Sequence, residues 1–158
     1  MKDYNIAGHH ISIDFSDENV NEGLLPNFKP FVTTADGEPV LTVSIVDDCC
    51  WAQNPKEVGI FDVGGSNHAV YRTAEGGYMF DVYDMSGHLC GRMQSNPDFS
   101  KCNVKIYDGT YIQKNYGLNN CMMLAYAFAT ATMDTILIHS SVIRCDGKGY
   151  LMTAPSGT

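Results

Sequence analysis

GIFDVGGSNHAVYRTAEGGYMFDVYDMSGHLCGRMQSNPDFSKCNVKIYD, residues 59–108, is the stretch whose reading decides the fold. It contains the strand-sized runs GIFDV, HAVYR, YMFDVYD, HLCGRM and CNVKIYD, with GGSN, AEGG, MSG and SNPDFSK between them. Runs of this length joined by short Gly- and Asn-bearing connections are the signature of antiparallel neighbours linked by hairpins. GGSN and AEGG each join two strand-like runs and no helix follows either, which sets them apart from dinucleotide loops. The expectation is a β-meander.

Upstream, LTVSIV at 41–46 alternates, placing Leu41, Val43 and Ile45 on one side and Thr42 and Ser44 on the other. YNIAGHHISIDF, 4–15, reads as a further strand, favouring one face or split by a bulge at Gly8. SDENVNEGLLPNFKP, 16–30, is polar and marked by Gly and Pro, and reads as a loop held to the core by Leu24, Leu25, Phe28 and Phe31. Downstream the texture changes. LNNCMMLAYAFATATM, 118–133, has neither Gly nor Pro and is rich in Ala, Leu and Met, with Asn119 or Asn120 available as an N-cap. It reads as one helix, apolar around nearly its whole circumference and therefore enclosed. ILIHSSVIRC, the DGKG turn and YLMTA then form a strand hairpin. The fold class is α+β, with a β-rich region at 1–116 and a helix plus hairpin at 117–158.

Composition bounds the function. The chain has 158 residues, 44% hydrophobic and 18% charged, which suits an ordinary globular domain. Ten Lys plus Arg against eighteen Asp plus Glu leave a net charge of -8, so the basic patch that nucleic acid requires is missing. The start MKDYNIAGHH has no apolar signal-peptide core, and CMMLAYAFATATM at 121–133 is too short to span a bilayer. These features imply a cytoplasmic protein without membrane or nucleic-acid partners. Six cysteines are scattered, without CxxC pairs, and are expected to be reduced thiols; the five histidines do not fall at zinc-ligand spacings beside them. No metal site is expected.

The last residues carry the chemistry. After the apolar run at 150–152 come Ala154, Pro155, Ser156, Gly157 and Thr158. They match the opening of a phosphate-binding loop, [AG]-x-x-x-x-G-K-[ST], although small residues after a strand also fit an ordinary turn. In such a loop backbone N–H groups surround the phosphates, a Lys adds charge and a hydroxyl holds magnesium.

The wider stretch ILIHSSVIRCDGKGYLMTAPSGT, 136–158, resembles the lead-in to the phosphate-binding loop of the HPr serine kinase/phosphorylase family. That family places a His, a strand, a Gly-containing hairpin and a second apolar strand before its loop. His139, Val142-Ile143, Asp146-Gly147-Lys148-Gly149, Leu151-Met152 and Ser156-Gly157 follow the same order. The likeness is to divergent relatives with a β-rich front half that includes a loop like LPNFKPF, 25–31. It implies a kinase using ATP, or pyrophosphate in its place, with Mg²⁺, of which these residues are the front portion, with Ala154–Thr158 beginning the phosphate cradle and His139 close to the phosphates. His139 also fits a core histidine donating to a carbonyl. Neither the Gly-Lys-Ser/Thr half of the loop nor the family's second signature occurs here, so the chain by itself is expected to be inactive and to self-associate through its terminal strands.

The other reactive residues read as structural. Ser140 and Ser141 have no base placed by sequence to activate them. Asp47-Asp48 reads as a solvated strand end, Cys49-Cys50-Trp51 as a loop with a core-edge plug, and His9-His10 as neighbours on opposite faces of a strand. A non-enzymatic alternative is a β-rich module that binds a protein or peptide by strand addition.

Overall fold

A computed structural model describes residues 1–34, 37–62, 65–138 and 140–152. The strands are β1 Lys2–Ile6, β2 His9–Phe15, β3 Val32–Thr33, β4 Leu41–Ile45, β5 Lys56–Asp62, β6 Asn67–Arg72, β7 Tyr78–Tyr83, β8 Leu89–Ser95 and β9 Lys101–Ile106. The helix α1, Tyr111–Thr130, follows, and then β10, Ser141–Cys145, and β11, Lys148–Met152. The architecture is α+β. Nine strands make one sheet in the order β3-β1-β2-β4-β9-β8-β7-β6-β5, and β10 with β11 make a separate pair.

β5 to β9 form the expected antiparallel meander. The sheet as a whole is nevertheless mixed, because β4 runs parallel to both β2 and β9. The meander brings β9 back beside β4, where Val43 pairs with Cys102 and Ile45 with Val104. These are core positions, and parallel strands are stable where they are covered. The first segment also differs from its sequence reading. Ala7 at φ 52 and Gly8 at φ 89 form a two-residue turn, so the chain reverses there into the β1–β2 hairpin instead of bulging.

One face of the sheet packs on α1. Ile11, Ile13, Leu41, Val43, Ile45, Val82, Met93 and Val104 are sealed from solvent against Leu118, Cys121, Met122 and Ala125. The helix begins earlier than its composition suggests. Thr110 is the N-cap, and its side chain accepts from the Gln113 amide while Gln113 reaches back in a capping box. Nor is α1 enclosed on all sides: Gly117-Leu118, Cys121-Met122, Ala125-Tyr126 and Ala129-Thr130 make a buried stripe, while Ile112, Met123 and Phe128 are exposed. Gly117 sets the closest approach, since a Cβ there would lie 2.6 Å from the Cys90 carbonyl oxygen of β8.

The loop after β2 is tied down as its apolar knot implies. Leu24 and Leu25 are buried, Phe28 meets Tyr4 edge-on at 5.6 Å, and Asn115 Nδ2 donates to the Leu24 carbonyl at 2.8 Å. Phe31 is only partly covered, 41% exposed. No helix among the described residues is long and apolar enough to cross a membrane.

Candidate functional site

His139 and Ala154–Thr158 lie outside the described residues. Described instead is the path toward the tail. β10 and β11 pair in register from Ser141–Met152 to Cys145–Lys148, turning through Asp146 at φ 50 and Gly147 at φ 76. Every residue of both strands is exposed, including Val142, Ile143, Tyr150, Leu151 and Met152. Ile136, Leu137 and Ile138, just before, are exposed as well. Ser141 is part of this exposed pair, whereas the Ser140 hydroxyl is buried and has no hydrogen bond among the described residues.

The remaining sequence-selected groups are spread over the molecule. Asp47 lies two residues past the end of β4 and is held by Lys105 Nζ through its carbonyl and, at 3.4 Å, its carboxylate. Asp48 accepts from the Cys49 amide at 2.9 Å. His9 Nε2 lies 2.8 Å from Thr135 Oγ1 on the helix side, and His10 Nε2 3.1 Å from Asp3 Oδ1 on the other side. All six cysteines are free. Burial pushes the Cys90 thiol up to about 11 and that of Cys102 up to about 12, which holds both as unreactive thiols. Among the described residues no three His, Cys, Asp or Glu side chains come together as metal ligands.

The structure assembles polar groups that the sequence reading passed over. Cross-strand partners alternate faces, so Asp81 of β7 and Arg92 of β8, directly paired, stand on the face opposite α1. Arg92 Nε donates to Asp81 Oδ1 at 2.6 Å and Nη2 to Oδ2 at 2.8 Å, a bidentate pair in which the carboxylate is almost wholly buried. Asp81 raises the pKa of the guanidinium further. The loop between β4 and β5 crosses this face: Gln94 Oε1 accepts from the Ala52 amide at 2.7 Å, and the Arg92 guanidinium lies 6.0 Å from the Trp51 ring. The sequence cue was a single acid inside the apolar run YMFDVY.

Beside this pair a cleft of about 460 Å³ opens across β5, β6 and β7. Its walls include Glu57, Ile60, Ala69, Tyr71, Tyr83 and Asp84. Burial raises the pKa of both tyrosines, and Asp81 raises each further, so both phenols are neutral in a negative field. Asp84 is fixed as a carboxylate well below the usual range, mainly by the Ser86 hydroxyl and the Gln113 amide, with the Ser86 and His88 backbone amides adding to them.

On the helix side, His68 of β6 is 4% exposed and stands edge-on to Tyr116, their centroids 6.2 Å apart. No hydrogen bond of good geometry reaches its ring nitrogens among the described residues, and burial lowers its pKa against the weaker polar influence of the nearby Asn67 backbone and Asn120 side chain. No protein-family model, curated protein or solved structure matches the chain.

Proposed function

We propose that the chain is the front portion of an ATP-dependent kinase similar to the HPr serine kinase/phosphorylase group, with the β10–β11 hairpin delivering the backbone into a phosphate cradle at Ala154–Thr158. The observation that carries this reading is the hairpin itself. It pairs with no strand of the nine-stranded sheet, and its apolar side chains stand in solvent. A two-stranded hairpin is marginal alone, and contiguous exposed apolar residues mark a surface built to be covered. Strands that open a nucleotide-binding core have this character when the rest of that core is absent. The strand, Asp-Gly turn, apolar strand and small-residue tail also stand in the family's order.

The cradle's amides would hold phosphate oxygens, while Mg²⁺ and a lysine supply the charge that phosphoryl transfer requires. No Gly-Lys-Ser/Thr motif occurs in the 158 residues. Calorimetric titration of this chain with Mg·ATP should therefore show no binding and no turnover, whereas the product of the uninterrupted reading frame should bind the nucleotide and transfer its γ-phosphate. Turnover by the 158 residues alone would overturn the assignment. The second reading, a peptide-binding module, is favoured by one observation: β5 ends the sheet with its outer edge unpaired.

A further inference from the structure

β5 is the long outer edge strand of the nine-stranded sheet. The opposite edge, β3, has two residues. Proteins blunt such edges with bulges, charges or covering loops. β5 has a bulge between Glu57 and Gly59, but from Gly59 to Asp62 its register with β6 is regular, Gly59 is partly buried, and Ile60 and Phe61 are more than half-open to solvent. The cleft borders this edge. Glu57 and Ile60 form its outer wall, the small side chain of Ala69 leaves its floor open, and Tyr71 and Tyr83 close the far side.

The charges there have one sign. Glu57 and Asp84 line the cleft, and the nearby Arg92 is occupied by Asp81. Lys56 and its cross-strand partner Arg72 lie on the other face, where Arg72 meets Tyr78. Aromatic faces beside a carboxylate attract an organic cation. The strand spacing of about 4.8 Å lets a Lys or Arg side chain on a strand added outside β5 reach across it.

We infer that β5 accepts an extended basic peptide as an added strand, with a peptide Lys or Arg side chain lying over Ile60 and Ala69 against Tyr71, Tyr83 and the Glu57 carboxylate. Main-chain hydrogen bonds along the edge supply affinity and the cleft supplies the preference for a cation. The inference is independent of the kinase reading. Its failure leaves the hairpin argument intact, and failure of the kinase reading leaves the β5 edge as it is.

The test uses fluorescence anisotropy of the 158-residue chain with labelled eight-residue peptides that alternate threonine with lysine, or threonine with glutamate. The lysine peptide should bind at least about tenfold more tightly than the glutamate peptide, because like charges at close quarters are strongly unfavourable. Glu57→Gln should weaken the lysine peptide about three- to fivefold, whereas Glu18→Gln, an exposed acid elsewhere, should leave it unchanged. N-methylation of alternate peptide amides should abolish binding. Equal binding of the two peptides, indifference to Glu57→Gln, or an equal effect of Glu18→Gln would overturn the cation site. Undiminished binding of the N-methylated peptide would overturn strand addition.

Discussion

Asp81 and Arg92 show how a charge pair is made tolerable inside a sheet. The carboxylate has both oxygens on one guanidinium, and about a quarter of the Arg92 side chain remains in water. Removing one partner strands the other, so Arg92→Met should cost about 2–3 kcal/mol in urea unfolding, somewhat below the range for a fully buried pair. Replacing both, as Asp81→Leu with Arg92→Met, should cost less than either single change; an additive double variant would contradict the pairing argument. His68 poses the opposite case, a buried group kept neutral. Burial lowers its folded pKa, so around the unfolded value of about 6.5 the unfolded chain holds more protons than the folded one. Its contribution to stability is full above about pH 6.5 and falls as pH drops through that value toward the folded pKa. The parent should lose stability between pH 7.5 and 5.5, and His68→Phe should lose less; equal losses would show that another group titrates there. Neither site was legible in the sequence. A lone Asp between Phe80 and Val82 reads as an ordinary outward strand residue, and its partner is fixed only by β7–β8 register.

At the scale of elements, legibility followed local signals. The strands from β4 to β9 were readable because β4 alternates cleanly and the later runs are short and set apart by Gly- or Asn-bearing connections. The parallel pairing of β4 with β2 and β9 was not, since it joins segments distant in sequence and depends on how the meander folds back. The helix start was misplaced because Gly117 resembles a breaker, although Thr110 and Gln113 carried a legible capping box. Gly117 is there for space. Its replacement by Ala places a Cβ against the Cys90 backbone, so Gly117→Ala should destabilise by about 1–3 kcal/mol despite alanine's better helix propensity. Thermal unfolding decides it. A gain in stability would mean that α1 can lift from β8 without loss.

At the scale of the whole molecule, two parts differ in how they bury apolar surface. The nine-stranded sheet and α1 share one sealed core, while 136–152 presents Ile136, Ile138, Val142, Ile143, Leu151 and Met152 to water. Surface of that kind finds a cover. Light scattering of the 158-residue chain should show association that rises with concentration and is abolished by Val142→Lys with Leu151→Lys; a monomer at high concentration would contradict it. The hairpin was legible from Asp146-Gly147 and its apolar flanks, but its separation from the main sheet was not, because strand propensity says nothing about which sheet a strand joins. The central claim is that this hairpin leads into a phosphate-binding loop. Reading the codons that follow Thr158 in the gene tests it most directly. A Gly-Lys-Ser or Gly-Lys-Thr within the next few residues is the predicted result; a stop codon, or a continuation without that lysine, would contradict it.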